Sequence, residues 1–291
     1  MLLQQLADGI ATGAIYGALA LAIVLVYRAS RTLNFAQGEL ALLGAYVSWQ
    51  CTAWGLPLPV AVAVSMAALA LLSAGIERVL IRPLVRRHQH LPLIIVSLGL
   101  MIALNALIGW VWTYQTKEVP ALFGPGTVAV GGVAVSRQDV GIVVTVVVVA
   151  LLLAALFGFT RIGLRMRAAV SAPESAELSG ISTGRTMTIG WAVAGAVGAL
   201  AGTLIAPELF LHPGMMAPVL IYAFAAATLG GLESPVGALI GGVAVGIVEN
   251  LAGSYLPGGS EFKQVVALLI IVVVLLVRPQ GMFGRRELVR A

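Results

Sequence analysis

The chain has 291 residues, 60% hydrophobic and only 10% charged, with a net charge of +5 and a mean hydropathy of +1.02. A soluble domain carries about 25% charged residues, so this composition excludes a soluble globule: too few charges exist to cover it. Apolar runs of about 20 residues recur along the chain without period-two alternation, which excludes a barrel and points to an all-α polytopic membrane protein.

The first predicted span covers residues 9–26. The preceding MLLQQLADG has neither a basic region nor a small-residue cleavage site, so this span is expected to be kept. Gly9, Gly13 and Gly17 recur at four-residue spacing, which lets helix backbones approach closely in lipid. Arg28 and Arg31 follow, and the second span covers 35–54, closed by the turn WGLPLP. Asn34, Gln37 and Glu39 lie at its start. Polar groups inside a span are costly and therefore informative, so these three are candidates for lining a path. Glu39 has a structural alternative, pairing with Arg31 or capping the helix start. The third span covers 60–80 and ends in a cluster of Arg78, Arg82, Arg86 and Arg87. The fourth covers 91–112 and carries Asn105 at mid-span, either a path residue or an interhelical hydrogen bond. A Gly- and Pro-rich loop, 114–138, follows. Within it TVAVGGVAV reads as a hairpin turning at Gly-Gly. The fifth span covers 140–159.

Residues 161–185, RIGLRMRAAVSAPESAELSGISTGR, form a long polar interruption. Ser171 and Glu174 have the spacing of a capping box. Pro173 falls in the first turn, where a missing amide proton costs nothing. Glu174 and Glu177 lie near the positive end of the helix dipole, and Gly180 can supply the left-handed residue that ends a helix. The spacing predicts a short helix over 172–179, lying outside the bilayer and offering a surface to another protein. An ordered loop with no partner is the alternative.

The sixth span covers 187–206, with Gly190, Gly195, Gly198 and Gly202. A short seventh, 217–229, is interrupted by Gly230, Gly231 and Pro235 and is either a full span or re-entrant. The eighth covers 236–251, with Gly237, Gly241 and Gly246, and ends in Glu249 and Asn250, with Glu249 expected to be wetted near the outer face. The ninth covers 265–277. With nine spans and the N-terminus outside, cytoplasmic segments hold 14 of the 17 basic residues: Arg28 and Arg31, four at 78–87, four in 161–185 and four in the tail. Only Lys117, Arg137 and Lys263 fall outside. This bias sets the orientation as N-out and C-in. It also accounts for the net charge without nucleic acid.

No catalytic motif is present. His88, His90 and His212 lie at loops or span edges with no H-E-x-x-H pair, and Cys51, the single cysteine, cannot form an internal disulfide. Neither Lys117 nor Lys263 follows a P-loop pattern, so any ATP dependence must come from a partner. Few carboxylates lie at mid-depth, which suits a small apolar or zwitterionic solute better than a cation.

RTLNFAQGELALLGAYV at 31–47, LPLIIVSLGLMIALNAL at 91–107, and ATLGGLESPVGALIGGVAVGIVENL at 227–251 resemble signatures of the branched-chain amino acid permeases of ATP-binding cassette importers, the LivH-type subunit. RPQGMFG at 278–284 is also typical of that family. Glu174, Ala176 and Gly180 resemble the E-A-A-x-x-x-G loop that docks in a groove of the ATPase, with Ser175 where that pattern has alanine. The resemblance covers essentially the whole chain and implies a single permease domain, 1–291, in a bacterial inner or plasma membrane. It has no catalytic residues, no cofactor and no metal. Implied partners are a homologous second permease of the LivM type, two cytoplasmic ATPases, a periplasmic or lipid-anchored solute-binding protein, and membrane lipid. It assigns ATPase coupling to Ala172, Glu174, Ala176, Glu177 and Gly180, with Asn34, Gln37, Glu39 and Asn105 expected along the substrate path. Leucine, isoleucine and valine are the implied solutes, with urea, amides or other amino acids as alternatives. An ion-coupled secondary transporter is the rival from another class.

Overall fold

The computed structural model describes residues 2–87, 90–130, 133–255 and 262–284. Among them α1 (Leu2–Ser30), α2 (Gln37–Ala53) and α3 (Leu58–Ile76) lead into a π-turn (Glu77–Ile81) and α4 (Arg82–Arg86). Then come α5 (His90–Trp112), the hairpin β1 (Thr127–Val130) and β2 (Val133–Ser136), and α6 (Arg137–Phe159). Two short helices, α7 (Arg161–Ser171) and α8 (Pro173–Leu178), precede α9 (Thr183–Leu209), α10 (Met216–Gly230), α11 (Pro235–Tyr255) and α12 (Phe262–Val277). A helix stands at each expected span position, and among the described residues six are long and apolar enough to cross a bilayer alone. The others, α2, α10 and α12, have 17, 15 and 16 residues, short of the roughly 20 needed for the hydrocarbon thickness. The hairpin pairs Thr127 with Ser136 and Val130 with Val133, as expected, and its Gly131-Gly132 turn lies outside the described residues.

A helix that is apolar all round belongs in the middle. The spanning windows of α1 and α9 are 89% and 78% buried, against 22% for α5 and α6. The glycines allow this. α1 and α11 run antiparallel with their backbones touching. A Cβ on Gly13 would lie 2.7 Å from the Gly242 carbonyl oxygen, and one on Gly242 would lie 2.3 Å from Gly17 Cα. Gly246 continues the seam against Gly13, whereas Gly237 and Gly241 turn to α10, so the glycines of α11 serve two faces. On α9, Gly195 faces α3, and Gly198 and Gly202 face α2.

The second helix starts deeper than its place after Arg31 suggests. Ser30 Oγ donates to the Val26 carbonyl at 2.9 Å, and Arg31 adopts a left-handed φ of +54°, turning the chain back into the bundle. Residues 31–36 therefore descend beside α9 and α10. Phe35 packs against Phe224 with ring centroids 5.4 Å apart, and α2 begins at that depth.

Basic side chains separate by end. Arg28, Arg31, Arg82 and Arg86 line one cavity, and Arg31 and Arg167 meet at its neighbour. At the opposite end Lys117 sits 4.5 Å over the Trp49 ring, and Lys263 lies 3.3 Å from Glu249. Glu249 is buried, 7% exposed, rather than wetted as expected. α11 continues to Tyr255, past the expected limit of 251, and so carries Glu249 inside the bundle against α12. Residues 278–284 fold back on the α10–α11 turn, where the Met282 amide donates to the Leu229 carbonyl at 2.8 Å and the Phe283 amide to the Gly230 carbonyl at 3.2 Å. Those carbonyls end a helix and would otherwise lack partners.

Candidate functional site

The polar stretch 161–185 contains two helices rather than one helix and loops. Thr160 caps α7 by accepting from the Gly163 amide, and Arg167 Nη1 donates to the Phe157 carbonyl at 2.6 Å, tying α7 back to the end of α6. The expected capping box does not form. Ser171 is still the last residue of α7, so the cap of α8 falls on Ala172, whose methyl group cannot accept a hydrogen bond. The C-terminus of α8 follows expectation. Gly180 takes φ +78°, its amide donates to the Glu177 carbonyl at 2.9 Å, and the Ile181 amide donates to the Ala176 carbonyl at 2.9 Å. This pair of bonds is the Schellman arrangement.

The coupling residues predicted from sequence are not equivalent in space. Ala176 is buried, 4% exposed, and anchors α8. Ala172, Glu174, Glu177 and Gly180 are exposed. Glu177 also accepts a hydrogen bond from Thr183 Oγ1, joining α8 to the first turn of α9. Sequence reasoning passed over Leu178, which is 90% exposed on the outer face of α8. A leucine that far from cover beside two glutamates was the available signal.

The four path candidates form two pairs, Asn34 with Gln37 at the buried start of α2 against α9, and Glu39 with Asn105 of α5. Asn34 Oδ1 accepts from the Ala36 amide at 3.1 Å, an Asx turn that starts the helix, and its Nδ2 donates to Gln37 Oε1 at 3.3 Å. Gln37 Nε2 reaches the Ala194 carbonyl of α9 at 3.2 Å, through a notch left by Gly198. Glu39 and Asn105 find each other: Asn105 Nδ2 lies 3.1 Å from Glu39 Oε2 and 2.8 Å from the Pro213 carbonyl. Glu39 is 7% exposed and forms no ion pair with a described residue. Neither structural alternative for it is realised, because Arg31 pairs with Glu233 and Asn34 starts the helix. A buried carboxylate inside a span without a cation is expensive, and the Asn105 amide is the partner that Glu39 finds there.

One constellation went unread in the sequence. Glu77, in the π-turn, is fully buried, and Arg82 Nε and Nη2 grip its carboxylate at 2.9 and 2.7 Å. Arg82 Nη2 also donates to the Gly184 carbonyl at 2.9 Å, and Thr188 Oγ1 lies 2.8 Å from Glu77 Oε2. The clasp joins the end of α3 to the first turns of α9, immediately after α8. Arg82 thus differs from a solvated member of a surface cluster. π-turns of this kind are frequent at functional sites.

A family model described as branched-chain amino acid transport system / permease component matches residues 5–275. The chain is 32% identical to the high-affinity branched-chain amino acid transport system permease protein LivH of Escherichia coli K12, over 98% of this chain and 96% of that one. It is 30% identical to the corresponding permease BraD of Pseudomonas aeruginosa, with the same coverage. A probable LivH of Methanocaldococcus jannaschii is 29% identical over 91% of this chain and 87% of the other. Among solved structures, PsaBC from Streptococcus pneumoniae in complex with Fab aligns with a TM-score of 0.51 at 13% identity, covering 97% of this chain and 93% of that one, a likeness of fold alone. With its membrane helices and a match across nearly its whole length, the chain belongs to the family of branched-chain amino acid transport permease components.

Proposed function

We propose that this chain is the multi-pass inner-membrane permease subunit of an ATP-driven importer of branched-chain amino acids, itself non-catalytic. A homologous second permease, two ATPases and a solute-binding protein complete the machine. The observation that carries this reading is the exposed, glycine-stopped helix α8 at the arginine-rich end of a chain of this family. Positive residues favour the cytoplasmic side, so that end faces the ATPases. Ala172, Glu174, Glu177 and Gly180, with Leu178 beside them, meet the ATPase groove, while Ala176 holds α8 to its own subunit. Asn34, Gln37, Glu39 and Asn105 lie along the substrate path.

Transport follows as alternating access. Closure of the ATPases moves α8, and the bundles rock around the path near the midplane. Differential binding, by ATP inside and by the loaded binding protein outside, supplies the energy. Reconstituted with all partners, the chain is expected to take up leucine only with ATP and regardless of an uncoupler. Concentration of leucine by the chain alone in response to an ion gradient would overturn the reading. Uptake of urea or amides in place of leucine would reassign the solute and leave the machine intact.

A further inference from the structure

We propose that the arginine-rich end carries a binding site for an anionic phospholipid, seated in two adjoining cavities between the end of α1, α4, α7 and the start of α9. The cavities have volumes of about 350 and 340 Å³ and share Arg28, Arg31, Met166 and Val170 in their walls. Arg82 and Arg86 complete the cationic rim of the first, and Arg167 joins the second. Among the described residues the first cavity has no acidic lining residue, and the second has Glu233, already paired with Arg31. Glu77 offsets Arg82 from behind, whereas Arg86 is exposed and forms no ion pair with a described residue. The hydroxyls of Ser30 and Thr32, 2.8 Å apart, stand on the same rim.

Guanidinium groups bind phosphate oxygens through paired, charge-assisted hydrogen bonds. A compact free anion would use this rim alone. Beyond Thr183 and Thr186, the rest of the first cavity is apolar, with Val85, Leu93, Met166 and Met187 in its wall, and free phosphate would leave that surface against water. A phosphodiester joined to acyl chains satisfies both parts, and basic pockets between membrane helices are suited to such headgroups. The lining comes from α7 and from the first turns of α9, the elements on either side of α8, so an occupant braces α8 from behind.

The test reads lipid retention and not transport, so its failure leaves the importer reading standing. Full-length protein, delipidated in detergent, is titrated with phosphatidylglycerol, phosphatidylcholine or inorganic phosphate, and retained molecules are counted by native mass spectrometry. Phosphatidylglycerol is expected to be retained in preference to phosphatidylcholine. Arg86→Gln is expected to weaken it about fivefold, and Ala169→Phe, which narrows the apolar wall, should weaken it as well. Because Arg86 is exposed, its variant keeps the fold, and an unchanged thermal midpoint verifies this. Equal retention of the two lipids, or undiminished binding by Arg86→Gln and Ala169→Phe, overturns the proposal. Inorganic phosphate binding as tightly as phosphatidylglycerol overturns the lipid assignment in favour of a free anion.

Discussion

Glu39 depends on one amide. Replacing Asn105 with leucine leaves a buried carboxylate without its donor, a loss of about 1–3 kcal/mol. Asn105→Leu is therefore expected to lower the thermal midpoint in detergent, and Glu39→Gln added to it should recover part of the loss. Uptake by Glu39→Gln alone separates a structural pair from a path residue. Full uptake would count against the path assignment. Glu77 and Arg82 make the stronger demand. Arg82→Leu abandons a fully buried carboxylate, and breaking such a pair costs about 3–5 kcal/mol, a loss measurable in the same melt. Both carboxylates were in principle readable, but only one was read. Glu39 and Asn105 stood out because polar residues inside apolar runs are rare. Glu77 is less conspicuous because it falls at the end of the expected third span, just before four arginines, where a carboxylate has ready partners near the surface. Sequence gives the identity of a polar group and not the depth to which the chain carries it. The left-handed turn at Arg31 that sinks residues 31–36 into the bundle has no glycine to announce it.

α8 shows what short-range grammar can and cannot deliver. Gly180 was legible as a helix stop because a positive φ nearly demands glycine. The start of α8 falls one residue later than the spacing predicts because α7, an amphipathic helix within the polar stretch, extends through Ser171. Gly180→Val should cost about 1–2 kcal/mol locally and loosen the tie between α8 and α9. Glu177→Arg and Leu178→Ala should reduce co-purification of the ATPases and ATP-driven uptake while membrane insertion stays normal. Undiminished co-purification with both variants would remove α8 from the contact. Ala176→Asp differs in kind: it places a charge at a buried position and should unseat α8 from its own subunit, visible as faster proteolysis within 161–185.

For the molecule as a whole, the glycine seams were the most legible feature. Four-residue spacing predicted close backbones, and α1 and α11 meet along that face. What spacing could not supply was the partner, since Gly242 makes the contact with Gly17 while Gly241 beside it serves α10. Gly242→Leu drives a side chain into the backbone of α1, and overpacking of this kind costs about 1–3 kcal/mol. Reduced yield of folded protein and a lower midpoint are expected, whereas Gly99→Leu, where a side chain meets open space, should leave both unchanged. The same seam bears on biogenesis. α1 is synthesised first, yet the surface it needs begins at Pro235, 205 residues after Ser30. At about 5–20 residues per second, a nascent chain waits roughly 10–40 s with its glycine face against lipid or an insertion factor. The earliest helix to enter the bilayer is thus among the last to find its neighbour, and ribosome-bound chains halted before residue 235 should crosslink through that face to the insertion machinery, an adduct that fades once α11 has emerged.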